Sequence, residues 1–143
     1  MMKYKIDNNK VYVKLDKNDL INQSLLDLSN DLSLNFVWLN GIGAIKNPEM
    51  GYFDIDRKDY DRKIFNGDYE LTSYMGNISL KDGERFIHSH ISFSDSKYNV
   101  FGGHLFDAKI SAAGEFILFL GNKNINRYFD NDVGLFFWKC EEE

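Results

Sequence analysis

Three histidines are the chain's whole complement, and they cluster: His88, His90 and His104. In Phe86-Ile87-His88-Ser89-His90-Ile91-Ser92-Phe93 the period-two pleat of a strand puts Phe86, His88, His90 and Ser92 on one face. Ile87, Ser89, Ile91 and Phe93 take the other face, so the two imidazoles point the same way with Cα atoms roughly 6–7 Å apart. His104 follows after Lys97-Tyr98-Asn99, and a strand returning antiparallel there would bring it beside the pair. Three neutral imidazoles suit a transition metal, zinc first and nickel, copper or iron after it, with one coordination position left open. The competing reading is that the histidines satisfy hydrogen bonds inside a barrel or at a subunit interface.

Other chemistry is thin. No Ser-His-Asp or Cys-His arrangement is apparent. Cys140 follows Trp138 in an apolar segment and reads as a packed small residue. Glu70, between Tyr69 and Leu71, is a candidate general acid or base near the histidines. It is equally a candidate to pair with an arginine such as Arg127, which could instead anchor an anionic substrate. Ser73 and Asn77 have no evident basic partner.

These residues must be carried by short strands. Lys10 to Leu15 alternates, with Val11, Val13 and Leu15 on one face. Ile21, Leu25, Leu28 and Leu32 then recur at helical spacing, with Asp16 or Asn18 as N-cap. Strand signals follow at Phe36–Leu39, Gly51–Ile55, Tyr69–Ile78, Phe86–Phe93, Val100–Phe106, Phe116–Leu120 and Leu135–Trp138, with turns at Asn66-Gly67-Asp68 and Lys81-Asp82-Gly83-Glu84. The expected fold is a single α+β domain over residues 1–143: a mostly antiparallel sheet of about seven strands with one or two flanking helices. Gly41-Ile42-Gly43 lacks the third glycine and following helix of a phosphate-binding loop.

Composition narrows the partners. Seventeen basic against 22 acidic side chains give a net charge of -5, whereas nucleic-acid binders draw affinity from neutralising phosphates with a basic surface. The densest basic stretch, Arg57 to Lys63, is interrupted by Asp59 and Asp61, and Glu141-Glu142-Glu143 closes the chain in acid. A single cysteine suits a reducing compartment, and no run has the length and apolarity of a membrane span or a signal core. A cytoplasmic protein is the expectation.

The sequence resembles the plants and prokaryotes conserved domain, which follows the AT-hooks of plant nuclear proteins and stands alone in bacteria and archaea. The matching residues are Asn40-Gly41-Ile42-Gly43-Ala44, Gly51-Tyr52-Phe53, Gly67 through Ser79, Asp82-Gly83, His88-Ser89-His90-Ile91 and Val100-Phe101-Gly102-Gly103-His104-Leu105, with Glu115 and Arg127 beyond. The resemblance implies a homotrimer. It also implies that Gly67 to Leu71 corresponds to a plant motif used in protein–protein association. His88, His90 and His104 match the form common in prokaryotic members, consistent with a bound metal; plant members generally lack them, so the fold does not need them. The family label attaches DNA binding and regulation, yet the AT-hook, an Arg-Gly-Arg-Pro-type segment for the minor groove, is missing: the only proline is Pro48, after Asn47. The alternative is a metal-dependent enzyme or small-molecule-binding protein using the same histidines. A cupin-like barrel ranks below both, because Ile91 to Asp95 contains no glutamate ligand.

Overall fold

A computed structural model describes residues 2–141, so Glu142 and Glu143 of the acidic end lie outside the described residues. Strand β1 (Lys3–Asp7) pairs antiparallel with β2 (Lys10–Asp16), where the alternation of Val11, Val13 and Leu15 becomes a buried face. Helix α1 (Ile21–Asp31) buries Ile21, Leu25 and Leu28 against the sheet. Strands β3 (Val37–Asp54), β4 (Asp59–Ile64), β5 (Asp68–Lys81), β6 (Glu84–Ser94) and β7 (Val100–Leu120) follow, then a hairpin of β8 (Asn126–Asp130) and β9 (Leu135–Lys139). The result is one sheet of nine strands with one helix among the described residues. Every pairing is antiparallel except the single parallel bridge Leu80–Asn126 between β5 and β8.

Two strands are longer than their sequence suggests. The segments 36–39 and 51–55 are parts of one strand, β3, and 100–106 and 116–120 are parts of β7. Glycine and proline are absorbed as irregularities rather than ends. The β3–β5 register shifts between Gly41 and Gly43, and the β3–β7 register shifts again between Lys46 and Glu49, around Asn47-Pro48. Beyond that kink β3 leaves β5 and takes β4 as its neighbour. Strands β3, β5, β6 and β7 thereby close on themselves, since β3 pairs with β5 and β7 while β6 pairs with the same two. Tyr74, Phe93, Leu105, Ile110 and Phe116 fill the core, and α1 packs on β6 and β7.

The β5–β6 hairpin turns through Asp82 and Gly83, both at positive φ (51° and 79°), the conformation a two-residue turn demands. The helix start differs from expectation. Leu20 is the N-cap and offers no side-chain bond; the cap comes from β7 instead. The Asp107 carboxylate accepts from the Asn22 and Gln23 amides at 2.9 and 3.2 Å, so a residue distant in sequence satisfies the helix's free N–H groups. Burial pushes the Asp107 carboxyl up, and those amides partly offset it. Asp107→Ala is expected to cost about 1–2 kcal/mol, read as a lower urea midpoint at unchanged slope. An unchanged midpoint would mean the cap contributes nothing.

Candidate metal centre

Strand β6 sends Ser89, Ile91 and Phe93 into the core, which fixes His88 and His90 on the opposite, outward face. β7 runs back beside it with His104 directly opposite His90. The Nε2 atoms of His88 and His90 stand 3.2 Å apart, and one ligand nitrogen from each of the three rings falls within 4.8 Å of the others. The antiparallel return expected for His104 is therefore present. The histidines are not core residues: His88 and His104 are half-buried and His90 is exposed.

An aromatic wall orients His104. Tyr60 of β4 lies over it at 4.7 Å between ring centres and 33°, and Phe106 meets it edge-on at 4.8 Å. The buried Nδ1 of His104 has no hydrogen-bond partner among the described residues. A buried polar nitrogen without a partner is costly, and an ion is one way to satisfy it. Burial first, then the neighbouring His90 and Arg127, pushes His88 down to about 4. Burial, then His88, His90 and Arg62, pushes His104 down to about 4. Both rings are neutral near pH 7, which is the state that ligates metal. The donor set and the unpartnered nitrogen both fit a zinc-type ion.

Those depressed values set a pH dependence for the metal-free protein. The fold favours the neutral imidazoles, so their contribution is full above the ordinary value of 6.5 and is lost as the pH falls toward about 4. The urea midpoint of stripped protein is expected to fall across that window and to fall less in a variant with alanine at 88 and 104. Parallel curves for the two proteins would contradict the assignment.

Asn77 faces His88 across the β5–β6 ladder. It has a basic partner after all: its Oδ1 accepts from Arg127 Nη2 at 2.9 Å and from Trp138 Nε1 at 3.2 Å. Arg127 also donates from Nε to Ser79 Oγ at 2.7 Å and from Nη1 to the Phe136 carbonyl at 3.0 Å. It does not pair with Glu70, which is exposed and lies opposite Ser94, four residues beyond His90 along β6. Arg127 therefore joins the histidines and Glu70 does not. Ser73 lines a separate groove, and Cys140 is exposed beyond β9 rather than packed.

His88 and His104 line a cleft of about 780 Å³, walled on another side by the β8–β9 hairpin through Phe129, Phe136 and Trp138. Sequence reading missed this wall, along with Tyr60, Phe106 and Asn22. Asn22 accepts from Tyr74 Oη at 2.7 Å and Ser89 Oγ at 2.9 Å, and donates to the Leu105 and Phe106 carbonyls at 3.3 and 3.1 Å. It thus ties α1 to the two residues after His104. An asparagine beside the apolar stripe of Ile21, Leu25 and Leu28 was the available signal.

The pattern of the Plants and Prokaryotes Conserved (PCC) domain matches residues 2–122, ending before the β8–β9 hairpin. Among solved structures, the chain is similar to a candidate DNA-binding protein of Bacteroides thetaiotaomicron, 31% identical over 97% of each chain with a TM-score of 0.94. A plant- and prokaryote-conserved protein of Pyrococcus horikoshii is also 31% identical, over 100% of this chain and 97% of its own, with a TM-score of 0.86. A metal-containing protein of Archaeoglobus fulgidus is 28% identical over 98% and 99% of the two chains, with a TM-score of 0.84. No curated protein matches the sequence.

Proposed function

The chain belongs to the Plants and Prokaryotes Conserved domain family, and from that membership we propose that it is a metal-binding member holding one transition-metal ion, zinc first, on His88, His90 and His104. The observation that carries this is the convergence of three ligand nitrogens within 4.8 Å, two of them on rings held neutral by their surroundings. The metal-containing archaeal relative supports it. Bound there, zinc with three protein ligands supplies an open position that polarises an oxygen or lowers the pKa of water. The chain's own residues do the rest. Tyr60 and Phe106 fix the His104 ring, Asn77 links the His88 rung to Arg127, and the hairpin aromatics give the cleft an apolar wall.

We place it in the cytoplasm as a homotrimer. Support for assembly is the apolar surface: Tyr12, Ile42 and Met75 are exposed on the outward face of the sheet, where Tyr12, Ile117, Asn40 and Met75 lie in one cross-strand row. No helix among the described residues is long and apolar enough to cross a membrane. DNA binding is the second reading, favoured by the description of the Bacteroides relative. Charge weighs against it, because the chain is net acidic and two of the four cations in the densest basic stretch are paired, Arg57 with Asp54 and Asp61 and Arg62 with Glu49. Titration of zinc into stripped protein against a chromophoric chelator tests the main reading. One ion per chain is expected; failure to compete with a weak chelator would sink it.

A further inference from the structure

The cleft beside the histidines has an unusual charge. In a chain with 22 acidic side chains, no carboxylate lines it among the described residues, while Arg127 and Lys81 both do. Arg127 is half-buried and has no carboxylate partner among the described residues; all three of its hydrogen bonds go to neutral oxygens. Two of the five N–H donors of a guanidinium are thereby left for something else. Lys81 lies over Phe136 at 4.0 Å from Nζ to ring centre and over Phe86 at 4.9 Å, which holds its charge at the cleft wall without cancelling it. The rest of the lining is largely apolar, with Phe86, Phe106, Phe129, Phe136 and Trp138 presenting rings.

We propose that this cleft binds a small carboxylate with an apolar, ring-sized body, its charge meeting Arg127 and Lys81 and its body lying among the hairpin aromatics. The volume, about 780 Å³, is in the range that encloses such molecules. A half-buried cation without a counter-ion favours an anion, and a carboxylate can take the two unused guanidinium donors. An uncharged ligand would leave the cation uncompensated, and a bare anion would leave the aromatic wall wet. The inference deepens the metal reading, since a carboxylate is also a zinc ligand, but its charge preference comes from Arg127 and Lys81.

Calorimetric titration of the full chain, zinc-loaded and stripped, with phenylacetate, 2-phenylethanol and acetate tests it. Phenylacetate is expected to bind roughly tenfold or more tighter than either of the others in both forms. Lys81→Gln, which leaves the Arg127 hydrogen bonds in place, should cut the preference over 2-phenylethanol severalfold, and Arg127→Gln should abolish it. The comparison of the three ligands on the unmodified protein is decisive even if Arg127→Gln does not fold. Equal binding of acid and alcohol, acetate binding as well as phenylacetate, or no binding of any of the three at millimolar concentration would overturn the proposal. If zinc is not taken up but the acid preference persists, the metal reading falls and this one stands; zinc uptake without the preference gives the reverse.

Discussion

Replacing His104 by alanine is expected to lower zinc affinity by on the order of a hundredfold or more. His104 is the sole proposed ligand on β7, and without it the pair on β6 would have only two nitrogens to offer. Its ring is also the best held of the three, between Tyr60 and Phe106, so the entropic cost of ordering a ligand is largely met before an ion arrives. Removing it leaves β7 otherwise intact, because the neighbouring Leu105 and Phe106 carbonyls remain tied to Asn22. Chelator competition on a folded variant gives the affinity, with circular dichroism as the control for structure. An affinity within a factor of two or three of the parent would show that His104 is not a ligand.

The second large effect is at Gly76, on β5 opposite Ser89. A Cβ there would lie 2.5 Å from the carbonyl oxygen of His88 and 2.9 Å from the Ser89 Cβ. The nearest obstacle is backbone, which cannot swing aside as a long side chain does. Gly76→Ala therefore has to push β6 away from β5 beside His88 and His90. The expected cost is about 3 kcal/mol, the upper end for overpacking, seen as a fall in Tm on the order of 10 °C. Zinc affinity should fall with it, because the displaced backbone carries His88. A Tm within about a degree of the parent would mean the two strands tolerate separation there.

These two residues illustrate what the sequence makes legible. The histidine cluster could be read because strand pleating is local: the alternation around His88 and His90 states their common face without knowledge of any partner strand. The return of His104 needed only a short hairpin, and β6 and β7 supply it. The helix was equally local, with its stripe of Ile21, Leu25 and Leu28 buried as its period implies. What remained hidden depends on register between distant strands. Nothing near Asn77 says that Arg127, from the far end of the chain, will reach it, nor that Asp107 will cap α1 in place of Asp16 or Asn18. Strand length was hidden for a related reason: the glycines at 41 and 43 permit a bulge, and neighbours on both sides of β3 carry the strand through it to the kink at Asn47-Pro48.

The aromatic C-terminal segment was legible as strand 135–138 and not as a wall of the cleft. Its partner β8 is polar at both ends and does not stand out, and among the described residues a single bridge joins the hairpin to the main sheet. Its position at the cleft is set by Arg127 and Trp138, both anchored on Asn77. A polar anchor of this kind leaves no periodic trace.

The most direct measurement is elemental analysis of untagged protein purified without chelator or added metal, beside a variant with alanine at positions 88, 90 and 104. Close to one transition-metal ion per chain is expected in the parent and none in the variant, with both proteins folded. A metal-free parent that takes up no zinc on titration, or a variant that keeps its metal, would contradict the three-histidine site.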